Sequence, residues 1–321
     1  MEPRSASAGQ MLSIGTHSLS LSLSGPVRSP PEPIVVIIPG AGDVAASYVA
    51  LERLLRLFTQ TLLYDRTGLG RSERRPAADP AQSSAVTAAE ELHALLAAAN
   101  ITPPFLLVGH SYGGIVAREF LHLYPDLVAG MVLCDAATER SSDLLTFPDP
   151  NIVAVTGDLN YARVTGLREE TVLSDEEWRV RAREIYASVV TAQAEAASFV
   201  EVCQTLKAKK QYENRALGQR PLSVIRANGV RDYERIYEKG IEAGNGSVEQ
   251  RRAFRELLDR WEGIDRELQE EQLLLSTTTR LVRLEDCGHN VHLVRPDVLA
   301  EEIRWVRDRI ADPLSRSSGL L

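Results

Sequence analysis

Four short apolar runs, IVVII (34–38), TLLYD (61–65), FLLVG (105–109) and AGMVLCD (129–135), alternate with stretches of helical periodicity. No other feature of the chain constrains its fold as much. A strand apolar at every position is buried on both faces, as happens inside a parallel sheet covered by helices. Between the runs, Val86, Leu92, Leu95, Leu96 and Ala99 share one helix face, and Val116, Phe120 and Leu123 share another. Strand, helix, strand, helix predicts an α/β architecture, a mostly parallel sheet flanked by helices. Ahead of it, HSLSLSLSG (17–25) alternates with period two, the mark of a half-buried strand. The first ten residues read as a tail.

After Asp135 the alternation stops. Residues 137–218 carry no strong strand signal and read as an inserted helical cap, with a capping box at Ser174–Glu177 opening one helix. PLSVI (221–225) resumes the sheet. A second capping box at Ser247–Gln250 opens a helix with Phe254, Leu257, Leu258, Trp261, Ile264 and Leu268 on one stripe. RLVRLE (280–285) is the last strand and residues 298–310 the last helix. The expected organisation is a core of residues 1–136 and 219–312, a cap of residues 137–218, and a flexible tail of residues 313–321.

Composition narrows the function. A net charge of −8 and a pI near 5.4 give no support to nucleic-acid binding. No run of 18 apolar residues predicts a membrane span, and the N-terminal stretch lacks the apolar core of a secretory signal. Cys134, Cys203 and Cys287 are odd in number and have no metal-ligand spacing, which suits free thiols, no metal, and a cytoplasmic location. His17, His93 and His122 read as structural residues on a strand and helices.

The run FLLVGHSYGGIVAREF (105–120) contains Gly109-His110-Ser111-Tyr112-Gly113, a G-x-S-x-G pattern. Chance alone supplies about 0.1 such matches in a chain of this composition, so its surroundings matter. They are a strand before it and a helix after it, with glycines where backbones must pass closely, the context in which a serine is exposed on a sharp turn. A serine hydroxyl becomes a useful nucleophile once a neighbouring base takes its proton.

Together with YDRTGLGRS (64–72) and the continuous stretch from Ala89 to Ala137, this elbow resembles the α/β-hydrolase superfamily. The likeness runs from about residue 12 to residue 310, is strongest over residues 61–140, and is weak in the cap. It implies Ser111 as nucleophile and the Tyr112 N–H as one oxyanion donor. The second donor of the family follows the strand matched by IVVII, usually in a His-Gly motif. Here Pro39-Gly40-Ala41-Gly42 stands in its place, which argues against the HGGG-type lipase branch and makes the Ala41 N–H the expected donor. A plain turn is the competing reading of that segment.

The family order of serine, acid and histidine puts the base late, where EDCGHNVHLVRPD offers His289 and His292; Gly288-His289 follows the last strand directly and is the expected base. Cys287 beside it reads as structural. The acid is least decided. The commonest position, just after the strand matched by PLSVI, falls at Val230, with Asp232 two residues on. Asp135 ends its own strand at the edge where catalytic groups gather in open sheets, and some superfamily members place the acid there. Asp286 shares the short loop of His289 and is not expected to reach behind its ring. The expected set is Ser111, His289 and Asp135, with Asp232 as the alternative. A further reading of Asp135 is that it only ties down the start of the cap. The expected function is a cofactor-independent serine hydrolase acting on an ester, lactone or related small acyl substrate. A non-hydrolytic member of the fold, such as a cyclase, acyltransferase or small-ligand receptor, is the alternative.

Overall fold

The computed structural model describes residues 9–29, 31–76 and 84–311. Eight strands form one sheet: β1 (Gln10–Ser13), β2 (Ser18–Ser24), β3 (Ile34–Ile38), β4 (Thr61–Tyr64), β5 (Phe105–His110), β6 (Val128–Cys134), β7 (Leu222–Arg226) and β8 (Thr279–Arg283). Their spatial order is β1-β2-β4-β3-β5-β6-β7-β8. The β1–β2 and β2–β4 pairs are antiparallel, and every pair from β4 to β8 is parallel.

The helices in chain order are α1 (Val49–Leu55), α2 (Ala85–Ala98), α3 (Tyr112–Leu123), α4 (Ser141–Leu144), α5 (Pro150–Thr156), α6 (Tyr161–Val164), α7 (Leu167–Glu170), α8 (Asp175–Ala187), α9 (Val189–Ala197), α10 (Phe199–Lys207), α11 (Gly229–Glu242), α12 (Val248–Glu271), α13 (Val291–Val294) and α14 (Pro296–Ala311). Both expected capping boxes form, Ser174 with Glu177 ahead of α8 and Ser247 with Gln250 ahead of α12.

The apolar runs do what their composition requires. Along β3, Ile34, Val36 and Ile38 face a core that includes α2 and α3, while Val35 and Ile37 face one that includes α1 and α14. Burial of successive residues on opposite faces follows from the two-residue period of a strand. Burying side chains of this size stabilises the fold by about 1.5–3 kcal/mol each, against the entropy of ordering them.

Two stretches differ from the sequence expectation. Gln10, the last residue of the expected tail, opens an edge strand, Gln10–Ser13, that was not expected and that pairs with β2 from Gln10↔Leu21 to Ser13↔Ser18. The helical layer is also not confined to residues 137–218. Val155 of α5 packs with Ile236 of α11 and with Phe254 and Leu258 of α12, so the long excursion between β7 and β8 joins the helices between β6 and β7. The expected tail at 313–321 and residues 1–8 lie outside the described residues.

Candidate active site

The turn from β5 into α3 carries Ser111 at φ 53° and ψ −124°, a backbone conformation that a non-glycine residue adopts only when its surroundings enforce it. The enforcing contacts are visible. A Cβ on Gly109 would lie 2.6 Å from the Gly113 carbonyl oxygen, and one on Gly113 would overlap the Ile38 carbonyl oxygen. Only glycine lets strand, turn and helix approach this closely. The Ser111 N–H donates to the Cys134 carbonyl, and the Ser111 carbonyl accepts from Gly114 and Ala137. The turn is therefore stitched to the end of β6.

Asp135 follows β6 at φ 43°. Its N–H donates to the Ile225 carbonyl at 2.7 Å, and its Oδ1 accepts from the Ala227 N–H at 3.0 Å, so the strand next door fixes the carboxylate. The other oxygen, Oδ2, lies 2.6 Å from His289 Nδ1. A carboxylate can only accept there, so Nδ1 carries the proton and Nε2 is left as the basic nitrogen. Burial works to lower the pKa of His289, but the hydrogen bond and charge of Asp135, with the charges of Asp232 and Asp265, prevail and raise it above the usual histidine value.

Asp232, the alternative acid, sits under the same loop without reaching the ring. Its Oδ2 accepts from the His289 backbone N–H at 3.1 Å and from the Tyr161 hydroxyl at 3.2 Å. It packs so tightly against Gly288 that a Cβ there would overlap its carboxylate. Burial raises its pKa despite these donors. Asp286 is turned outward to Arg295, at 2.9 Å.

His110 brings the histidine loop to the elbow. It is buried, its Nε2 lies 2.9 Å from the His289 carbonyl oxygen and its Nδ1 3.2 Å from the Tyr48 hydroxyl. Burial, with the charges of His292 and His289, holds its pKa well below the ordinary value. His292 is fully buried and stacks on Tyr48 with ring centroids 4.2 Å apart, and its Nε2 lies 3.2 Å from Asp43 Oδ2. Donor atoms of Asp43, His110 and His292 all lie within 4.8 Å of one another. The two nitrogens of His110 are already engaged and Asp43 is hydrogen-bonded to Ser47, so the three read as a buried support for the loops around Ser111. Burial works against the charge on Asp43, but His292, Arg181 and Ser47 prevail and hold its carboxyl below the ordinary range.

The segment after β3 lies against the elbow: a Cβ on Gly40 would be 3.3 Å from Ser111 Cβ. Its amides are nearly all engaged. Gly40 donates to the Tyr48 hydroxyl, Gly42 to Glu195 Oε2, Asp43 to the Gly40 carbonyl, Val44 to Asp43 Oδ1 and Ala45 to Asp65 Oδ1. Among the described residues the Ala41 N–H has no partner, and Ala41 is exposed. The Tyr112 N–H, at the start of α3, likewise has no partner among them. Two unpaired amides beside one serine, one at a helix N-terminus, can receive negative charge developing on an oxygen.

Cys134, Cys203 and Cys287 are free and buried. Burial pushes the Cys287 thiol up to about 12, which keeps it in the protonated form. The sequence reading did not identify the roles of Arg66, Glu195, Tyr48 or Asp43 in this region. The Arg66–Glu195 and Asp43–His292 pairs are remote in the chain, and although Arg66 lies in YDRTGLGRS, that stretch does not announce its partner.

The profile of the alpha/beta hydrolase family matches residues 35–302. The chain is 30% identical over 303 residues to an AB hydrolase superfamily protein of Gibberella zeae, covering 90% of this chain and 91% of that one. It is also 30% identical over 302 residues to a protein of Hormonema carpetanum named probable transporter efuK. That match covers 92% of this chain, but the chain spans only 42% of that relative's length. In fold it resembles Cfl2 of Burkholderia cenocepacia, with a TM-score of 0.63 and 18% identity over 92% of this chain and 94% of that one. At that identity the likeness speaks to the fold alone. No helix among the described residues is long and apolar enough to cross a membrane.

Proposed function

Because the chain belongs to the alpha/beta hydrolase family, we propose that it is a cofactor-independent serine hydrolase that cleaves an ester, lactone or related small acyl substrate through an acyl-enzyme. The observation that carries this reading is the 2.6 Å contact between His289 Nδ1 and Asp135 Oδ2 beside a strained, glycine-flanked Ser111.

In the reaction, Ser111 Oγ attacks the substrate carbonyl carbon while His289 Nε2 takes the hydroxyl proton. Asp135 keeps the imidazole in the tautomer that leaves Nε2 free and stabilises the imidazolium once it forms. The carbonyl oxygen, now bearing negative charge, sits between the Ala41 and Tyr112 amides. The intermediate collapses as His289 returns the proton to the leaving oxygen. Water then attacks the acyl carbon as its proton passes to His289 Nε2. The second tetrahedral intermediate collapses with cleavage of the bond to Ser111 Oγ, which takes the proton back from His289 as the acid leaves. The helices of residues 137–218, as a cap, would wall the acyl pocket.

Steady-state hydrolysis of p-nitrophenyl esters of graded chain length, alongside a set of lactones, tests this reading. Turnover that disappears in Ser111→Ala is the expected result. Turnover that survives the substitution would remove Ser111 as the nucleophile, and a protein that binds such compounds without cleaving them would favour the non-hydrolytic alternative.

A further inference from the structure

The buried pair Arg66–Glu195 joins the loop after β3 to α9. The Arg66 guanidinium donates from Nη1 to the Pro39 carbonyl at 2.6 Å and from Nη2 to the Gly40 carbonyl at 2.7 Å. Glu195 receives Arg66 Nε at 2.8 Å on one oxygen and Nη2 at 2.9 Å on the other. That second oxygen also accepts from the Gly42 N–H at 2.7 Å. Both side chains are nearly inaccessible, at 3% and 6% exposure. The surrounding contact is tight, since a Cβ on Gly42 would lie 2.6 Å from Ala192 Cβ of α9.

These bonds dictate the direction of one amide. The Gly40–Ala41 peptide is trans, because the described cis bonds are Pro103–Pro104 and Phe147–Pro148. In a trans peptide the C=O and N–H point to opposite sides. With the Gly40 oxygen held by Arg66, the Ala41 N–H must point away from Arg66. Among the described residues it also has no hydrogen-bond partner. The carboxylate of Glu195 fixes the guanidinium in two-point contact, and by taking the Gly42 N–H it fixes the next peptide plane as well.

We propose that Arg66 and Glu195 are a positioning pair that aims the Ala41 N–H at the substrate oxygen, so that the oxyanion site is complete only when α9 is seated on the loop. This rests on the serine-hydrolase reading and adds to it a coupling between the helical segment 137–218 and the reacting centre. A second link runs the same way: Arg181 of α8 donates to Ser47 Oγ at 2.9 Å, and Ser47 donates to Asp43 of the same loop. Neither Arg66 nor Glu195 touches the reacting atoms, so their loss should weaken stabilisation of the oxyanion while leaving ground-state binding intact.

The test measures the rate of covalent labelling by a fluorophosphonate, whose phosphoryl oxygen occupies the same oxyanion site, together with kcat and KM on a p-nitrophenyl ester. Glu195→Gln should slow labelling and lower kcat by roughly 10–100-fold with little change in KM, somewhat less than deletion of an oxyanion donor costs. The paired variant R66M/E195M removes both buried charges and leaves no lone ion; it should be slowed equally, since the loop carbonyls are released. Glu139→Gln is the control. It weakens the comparably buried Arg118–Glu139 pair, whose hydrogen bonds go to each other, Gln211 and Tyr212 and not to the loop after β3, and it should label at the wild-type rate. The pair has no positioning role if folded Glu195→Gln and the double variant label like wild type, or if Glu139→Gln is slowed as much. Wild-type protein that takes no label at all would remove the serine-hydrolase reading, and the role of the pair with it.

Discussion

His289 and Asp135 stand 154 positions apart in the chain, yet Nδ1 of one lies 2.6 Å from Oδ2 of the other. The sheet makes this possible. Asp135 leaves the C-terminal end of β6, His289 follows β8, and Ala227, just past the end of β7 between them, supplies the N–H that holds the second carboxylate oxygen. The Asp135 carboxylate is therefore held as part of the sheet edge.

If Asp135 orients the imidazole, Asp135→Asn should lower kcat by about 10⁴-fold on folded protein, because the amide favours the wrong tautomer. Asp232→Asn should cost far less, since Asp232 receives only the backbone N–H of His289. Assay of both variants after circular dichroism has established folding would decide between them. Collapse of Asp232→Asn alongside a near-normal Asp135→Asn reverses the assignment.

The pH dependence has a definite sign. In the proposed reaction the His289 imidazole acts in its neutral form, and Asp135 raises its pKa above the usual histidine value of about 6.5. kcat/KM should rise with pH through a midpoint above that value, and Asp135→Asn should move the midpoint down. The same shift contributes folding stability that is fully present below the unfolded histidine pKa and lost as pH rises through the folded value. A midpoint at or below 6.5 in the unaltered protein would contradict the raised value.

The two late histidines separate cleanly. His289→Ala should reduce kcat by at least ~10³-fold with a small change in stability, since the side chain is 38% exposed. His292→Ala opens a cavity against Tyr48 and deprives Asp43 of its neighbour, which should cost roughly 3 kcal/mol in urea unfolding. Equal stability losses in the two variants would overturn this division.

Backbone strain at Ser111 predicts an inversion of the usual glycine penalty. A conformation like φ 53°, ψ −124° stores about 1–3 kcal/mol in a residue with a Cβ. Ser111→Gly should unfold at a denaturant concentration no lower than Ser111→Ala, although glycine normally costs stability. A clearly less stable glycine variant would mean the turn is not strained.

The parts of this architecture that were legible in the sequence are those in which local chemistry and tertiary role coincide. IVVII, FLLVG and AGMVLCD are apolar because both faces of the inner strands are covered, so the sheet could be read directly. The elbow could be read because its glycines must stand where backbones meet. Gln10–Ser13 escaped because an edge strand with exposed residues carries no apolar period. The choice between Asp135 and Asp232 stayed open because both carboxylates flank the His289 loop, and only the geometry shows which one meets the ring and which the backbone. Arg66 and Glu195 escaped for a different reason: their hydrogen bonds span 129 residues, and neither lies in a pattern that announces a partner.

The central claim is that Ser111 is the nucleophile, and peptide mapping of the fluorophosphonate adduct by mass spectrometry tests it most directly. The expected result is a single adduct on the peptide containing Ser111 in the unaltered protein and none in Ser111→Ala. An adduct on another residue, or one that persists undiminished in Ser111→Ala, would contradict the account.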